Sequence, residues 1–265
     1  MEKTLGFPKF GYQGRLGNML FELASCYGIA NKSGRKLVLP EWQYQEFFKG
    51  KVEIVPRNIL PFEVRELGFA YCGDYMYSRL ANDKPHIDVS GYFQSEKYFK
   101  HCIDDVRRFF TWEESKFEHI RDKYEHLLHG NTVAIHVRRG DYVGHSGYIP
   151  LPMKYYIDAL REIDNRSTVV VFSDDIDWCK RSFSLIAAKI EFIESNRNID
   201  DLYLMSKMRN FIIANSTFSW WGAWLGEKNG GKIVHPGALF AGAMADYDIK
   251  DYFPDRWTVS NKWNN

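Results

Sequence analysis

Thr132-Val133-Ala134-Ile135-His136-Val137-Arg138-Arg139-Gly140-Asp141-Tyr142 is the stretch from which the rest of this 265-residue chain is read. Its first half is β-branched and apolar, the composition of a strand buried on both faces, and it stops abruptly at a histidine, two arginines, a glycine and an aspartate. Ligands of open α/β sheets sit beyond the carboxyl ends of the strands, where neighbouring guanidiniums can fork onto several phosphate oxygens. The stretch therefore reads as a diphosphate-binding strand end. An exposed Arg pair bridged to Asp141 for local structure is the alternative.

Downstream, strands and helices alternate. Thr168 to Phe172 reads as a strand ending in Ser173-Asp174-Asp175, with an amphipathic helix to about Lys189 and a strand from Ile190 to Ile193. Asn198 to Met208 is helical, Phe211 to Ala214 is a strand ending in Asn215-Ser216-Thr217, a tryptophan-rich helix runs from Ser219 to Leu225, and Lys232 to Val234 closes the series. This order implies a parallel sheet with right-handed crossovers, so the tips at His136/Arg138/Arg139, Ser173/Asp174/Asp175 and Asn215/Ser216/Thr217 should meet at one crevice. Arginines there neutralise a diphosphate, an aspartate accepts two N–H bonds from a guanine edge, and hydroxyls with free N–H groups at a helix start hold phosphate oxygens. The combination describes a nucleotide-sugar pocket. Asp175-Ile176-Asp177 matches the D-x-D of metal-dependent sugar transferases, but it opens a helix, where acidic residues suit the macrodipole. Two arginines on a leaving diphosphate supply the charge a metal would, so no metal is expected.

Upstream, Gly11-Tyr12-Gln13-Gly14-Arg15-Leu16-Gly17-Asn18 precedes a helical run to Lys32, closed by Gly34 before a short strand from Lys36 to Leu39. Gly14, Arg15, Gly17 and Asn18 thus belong to a glycine loop opening a helix, where a ligand can approach the backbone. The spacing is neither a Walker A loop nor the dinucleotide fingerprint, and a plain turn is the competing reading. From Glu41 to Tyr77 the pattern is irregular, with Trp42, Tyr44, Phe47 and Phe48 as core around a short helix. Ile87 to Tyr92 reads as a strand that delivers Gln94 and Ser95 to its carboxyl end before a helix from about Glu96, although capping explains Ser95 equally well. A helical segment from Glu113 to His129 stops at Gly130-Asn131. The expected domains are 1–130 and 131–265.

Composition excludes several classes. At 45% hydrophobic and 26% charged the chain can bury an ordinary core, and a net charge of +1 argues against a nucleic-acid binder. Aromatics at 16% suit either sugar-binding surfaces or aromatic cores, so they do not discriminate. Cys26, Cys72, Cys102 and Cys179 are too scattered for a zinc site or a disulfide framework. Neither a signal h-region nor a transmembrane segment is visible, which makes the expected location cytoplasmic, with peripheral membrane association left open.

Taken together, Gly14-Arg15-Leu16-Gly17-Asn18, Gly91-Tyr92-Phe93-Gln94-Ser95, His136-Val137-Arg138-Arg139-Gly140-Asp141-Tyr142, Phe172-Ser173-Asp174-Asp175 and Asn215-Ser216-Thr217-Phe218-Ser219-Trp220-Trp221-Gly222-Ala223-Trp224 resemble, in order, the motifs of the α-1,2-fucosyltransferases of glycosyltransferase family 11. The resemblance runs from about Gly11 to Pro236. It implies a GT-B-like α/β fold of two Rossmann-like domains facing a central cleft, the first acceptor-side and the second binding the GDP-sugar. It further implies GDP-β-L-fucose as donor, a glycan acceptor, inversion, and no divalent metal or other cofactor. On this likeness His136, Arg138 and Arg139 grip the GDP, Asp175 reads the guanine, and Ser216, Thr217, Phe218, Ser219 and Trp220 contact the phosphates. Relatives usually carry Gln where this chain has Met19, which bears on acceptor hydrogen bonding.

The expected mechanism is a single displacement, with Arg138 and Arg139 stabilising the leaving phosphate and Asp141, His145 or Glu22 as base. Trp220 and Trp224 lie one helical turn apart, a spacing that also suits core packing. Competing readings remain: a transferase of another nucleotide sugar, or a metal-dependent one using Asp175 and Asp177, or a sugar-nucleotide-binding module without turnover.

Overall fold

Each β-branched run becomes a strand of a wholly parallel sheet in a computed structural model that describes residues 2–56, 62–163, 166–184, 186 and 189–260. Two such sheets form, each in its own unit. The first unit comprises the described residues up to Glu113 together with Asp248–Pro254; the second comprises Glu114–Tyr247 and the described residues from Asp255.

In the first unit β1 (Thr4–Gly6) leads through the glycine loop into α1 (Leu16–Lys32) and β2 (Lys36–Leu39). Then come β3 (Glu53–Ile54), β4 (Glu63–Arg65), α2 (Gly73–Leu80), β5 (His86–Ser90) and α3 (Ile103–Phe109), and the strand order is β3-β2-β1-β5-β4. Leu16, Leu20, Leu23 and Ala30 of α1 are buried at helical spacing, as the sequence predicts. Trp42, Tyr44, Phe47 and Phe48 are also buried, but the helix they accompany is a single turn, Gln45–Phe47. The helix expected from Glu96 begins as two short turns, and α-helix proper starts at Ile103.

The second unit runs α4 (Glu118–Lys123), α5 (Glu125–Leu128), β6 (Thr132–Val137), α6 (Met153–Leu160), β7 (Thr168–Ser173), α7 (Ile176–Phe183), β8 (Ile190–Phe192), α8 (Asn198–Ser206), β9 (Asn210–Ile212), α9 (Thr217–Gly226), β10 (Ile233–Pro236) and β11 (Thr258–Ser260). Its sheet has the order β11-β10-β9-β6-β7-β8. β6 is buried at every residue, and Val133, Ile135 and Val137 pack with Tyr155 and Tyr156 of α6 and Phe183 of α7. Trp220, Trp221 and Trp224 of α9 expose no surface; burying rings of this size contributes about 4 kcal/mol each before the entropy of ordering. α7 ends at Phe183, short of the expected Lys189, and residues 185, 187 and 188 lie outside the described residues.

Residues 114–128 join the second unit, although the Gly130-Asn131 stop signal suggests a division after them. Glu114 accepts hydrogen bonds from Tyr203 (2.5 Å) and Lys207 (2.7 Å), and Phe117 stacks on Tyr203 at 4.0 Å. The helical segment is thus fastened to α8.

Register fixes where the strands end. Val137 pairs with Ser173 and Ile135 with Ile212, so Arg138, Asp174 and Asn215 leave the sheet at one level. The chain proceeds from β6 outward to β7 and β8, then returns to the opposite side of β6 as β9, which creates a switch point there. The first sheet has the same feature between β1 and β5, where the glycine loop and the Gly91–Ser95 turn emerge.

Candidate functional site

At the end of β6 the two guanidiniums turn toward the aspartates. Arg138 Nη1 lies 2.8 Å from Asp174 Oδ2, and its Nη2 donates to Asp141. Arg139 donates from its backbone N–H to Asp174 Oδ1 (2.9 Å) and from Nε to Asp175 Oδ2 (3.1 Å), with its guanidinium 4.0 Å over the Trp178 ring. These arginine side chains are only 15% and 19% exposed, so solvent screens their pairing less than at an open surface. A guanidinium carries five N–H donors, and each arginine keeps several beyond those committed to carboxylates.

The surrounding residues shape this pairing. Gly140 leaves room for Asp174: a Cβ at that position would come 2.4 Å from Asp174 Oδ2. Asp175 caps α7 by accepting from the Trp178 N–H (3.2 Å), and its own N–H donates to Ser173 Oγ (3.0 Å). Ser173 therefore shapes the turn that presents Asp175. Tyr142, beside Arg138, donates its hydroxyl to the Asn215 carbonyl (3.0 Å) and so ties the β6 end to the β9 end.

His136 is uncharged. Burial, reinforced by the Arg138 charge, pushes its pKa down to about 3, and its Nδ1 has no hydrogen-bond partner among the described residues. Its ring lies 5.2 Å from that of Phe218. A neutral imidazole avoids adding a buried cation beside the two arginines. Beyond Asn215, Ser216 occupies the N-cap of α9 in an extended conformation, and its hydroxyl accepts no bond from the first turn. No acidic residue lies in that turn, so the positive end of the helix is not neutralised there.

Several side chains expected at a ligand are instead used within the protein. Trp220 has no exposed surface and packs on Trp221 and Trp257, with ring centroids 5.1 and 5.2 Å away, so it cannot touch a bound nucleotide with its side chain. Ser219 is equally buried and donates to the carbonyls of Ala214 and Ser216. The Asn215 amide donates to the carbonyls of Ile149 (3.0 Å) and Leu239 (2.8 Å), and organises the turn from within. Thr217 and Phe218 stay partly exposed at the helix start. Among the described residues no group of three His, Cys, Asp or Glu could hold a metal ion, and no helix is long and apolar enough to cross a membrane.

In the first unit the two sequence motifs are stitched together. Gln13 Nε2 donates to the Gly91 carbonyl (2.9 Å), and Gln94 Nε2 donates to Asn18 Oδ1 (3.1 Å). Gly14 has φ +79°, which lets the loop turn back tightly over Asn18; Arg15 is exposed at the N-cap of α1 and Gly17 is buried in its first turn. Ser95 is buried and donates to the Asp251 carbonyl (2.7 Å), so its role is to anchor the returning segment 248–254. Lys97 pairs with the Asp251 carboxylate, which also accepts from the Tyr71 N–H (3.2 Å). Met19 is buried in the core.

Of the expected base candidates, two are poorly suited. Glu22 is fully buried, and desolvation pushes its pKa up to about 9, so at neutral pH it holds its proton. His145 Nδ1 accepts from the Gly147 N–H (2.9 Å), which leaves the proton of a neutral ring on Nε2 as a donor. Asp141 is half exposed and on Arg138. Sequence reading missed Trp178, Tyr142, Gln13 and Asp251; only Tyr142 and Gln13 sit inside a motif that could have flagged them.

The family model of glycosyl transferase family 11 matches residues 10–259. An α-1,2-colitosyltransferase from Escherichia coli is 33% identical over 94% of this chain and 97% of its own length. Human galactoside alpha-(1,2)-fucosyltransferase 1 is 25% identical over 84% of this chain and 65% of its own. Among solved structures, the fucosyltransferase NodZ from Bradyrhizobium superposes with a TM-score of 0.54 at 14% identity, over 85% of this chain and 94% of that one, which shows a shared GT-B fold. With the strand-end motifs in family order along nearly its whole length, the chain belongs to glycosyltransferase family 11.

Proposed function

We propose that this enzyme moves L-fucose from GDP-β-L-fucose to the 2-hydroxyl of a galactose or similar hexose in a glycan, with inversion and without a divalent metal. The observation that carries this reading is the arginine pair at the β6 end, set against Asp174, Asp175 and the positive start of α9. Arg138 and Arg139 use their remaining N–H donors for diphosphate oxygens, and the first-turn amides of α9 take a further phosphate oxygen. Asp175, partly exposed, has lone pairs left for the guanine edge. The NodZ crystals soaked with GDP-fucose support a GDP-linked 6-deoxy sugar as donor.

The acceptor O2 attacks the anomeric carbon on the face opposite GDP as the bond to the phosphate oxygen breaks. Asp141 takes the acceptor proton, and the negative charge growing on the leaving diphosphate falls on Arg138 and Arg139, where a metal would act in other transferases. Asn18, Gln94 and the backbone of the glycine loop serve the acceptor.

A second donor deserves a direct test. The full-length similarity to an α-1,2-colitosyltransferase makes nucleotide-linked colitose, a 3,6-dideoxy hexose that differs from fucose in lacking the 3-hydroxyl, the second candidate donor. The pure protein is incubated with GDP-fucose, GDP-colitose and UDP-sugars over an array of hexose acceptors, with and without EDTA, and product linkage is read by NMR. An α-1,2-fucosyl product insensitive to EDTA is expected. A β-linked product, loss of activity with EDTA, or turnover of a UDP-sugar alone overturns the reading.

A further inference from the structure

The turn Gly91–Ser95 is held in an unusual backbone conformation by a carboxylate far from it in sequence. Phe93 has φ +49°, in the left-handed region that bulky residues avoid, and Gly91 has φ +156°. Glu66, just after β4, closes over this turn: its Oε2 accepts the N–H groups of both Tyr92 (2.9 Å) and Phe93 (2.8 Å). The approach is so close that a Cβ on Gly91 would come 2.5 Å from Glu66 Cβ and 2.6 Å from its Oε2. The second oxygen accepts from the Tyr98 hydroxyl (3.0 Å), which in turn accepts from the Cys72 N–H (3.2 Å). Ser25 fixes the Phe93 carbonyl from α1 (2.8 Å). The product of these contacts is a turn that keeps Tyr92 46% exposed and aims the Gln94 amide at Asn18.

We propose that Glu66 is a positioning residue for acceptor recognition: by receiving two consecutive amides of a strained turn it sets where Tyr92 and Gln94 meet the acceptor sugar, an inference that rests on the transferase reading above. Two bonds to one anionic oxygen offset the cost of the left-handed Phe93, and no other side chain bonds those two amides among the described residues. Burial also raises the Glu66 carboxyl to about 7. Tyr98, Cys72 and Cys26 face it from the neighbouring elements, and burial pushes Tyr98 and Cys26 upward from their usual ranges. Acidification through about pH 7 therefore protonates the carboxyl and weakens its hold on the turn.

The test compares Glu66→Ala and Glu66→Gln with wild type, using GDP affinity, donor and acceptor KM, and amide hydrogen exchange of the 90–95 segment. Glu66→Ala should raise the acceptor KM about tenfold, as loss of charge-assisted bonds does, with GDP affinity and donor KM unchanged. The Tyr92 and Phe93 amides should exchange faster in it. Glu66→Gln, which keeps an accepting oxygen, should restore much of the acceptor KM and remove its dependence on pH near 7. An unchanged acceptor KM in a folded Glu66→Ala, or equal loss on donor and acceptor, overturns the role of Glu66. Unchanged amide exchange does the same without reference to turnover. A wild type that binds GDP yet transfers to no acceptor overturns the transferase reading instead.

Discussion

The two sheets end in opposite chemistries. At the β6, β7 and β9 ends of the second unit, half-buried arginines face aspartates, whereas at the β1 and β5 ends of the first unit carboxamides and backbone groups meet, Gln13 on the Gly91 carbonyl and Gln94 on Asn18. Both sets sit at a switch point of a parallel sheet, so topology alone does not make them different. On the proposed function, what differs is the ligand each takes. A diphosphate needs fixed positive charge, while a neutral sugar needs donors and acceptors in equal supply.

The contrast can be broken most sharply at Arg138. Arg138→Ala should lower kcat on the order of 10²–10³ while leaving circular dichroism unchanged, because on the proposed mechanism it removes charge stabilisation made in the transition state. Activity close to wild type in the folded variant would deny the second unit its charged role.

The next effect is on stability, and its sign differs between units. His136 titrates near 3 in the folded chain, below its ordinary range, so its contribution is present above about pH 6.5 and is lost as pH falls, by about 1.4 kcal/mol per unit. Glu22 does the reverse. Its folded pKa of about 9 lies above the ordinary carboxyl range, so its contribution is complete below about pH 4.5 and is lost as pH rises. Region-resolved hydrogen exchange at pH 5, 7 and 9 should show the second unit weakening in acid and the first in base, with Glu22→Gln flattening the alkaline limb.

Smaller effects sharpen the contrast. Gly140→Ala should cost about tenfold in GDP affinity by calorimetry, since its Cβ displaces Asp174 from Arg138. Gln94→Ala should raise the acceptor KM about threefold and leave GDP binding untouched, the loss of one neutral hydrogen bond.

The second sheet is largely legible in sequence because β6 and β7 are long β-branched runs whose polar ends follow directly. The first is not. β3 is two exposed residues and β4 begins and ends in charge, so they exist as strands only through their neighbours β2 and β5. Motif position put Arg138, Asp174 and Gln94 at strand ends, where the fold has them, but could not tell Trp220, sealed in the core, from Phe218 at the helix start. Glu66 and Asp251 were invisible because their partners lie about 26 and 156 residues away, and only the folded chain brings them together.

The return of 248–254 to the first unit has a consequence for biosynthesis. Asp251 supplies the carbonyl for Ser95 and the carboxylate for Lys97 and Tyr71, so the amino-terminal half leaves the ribosome without its last clasp. It waits, with that turn unfastened, until residues 248–254 have been made. A gene fragment ending at codon 113 would encode a unit that lacks a piece of itself.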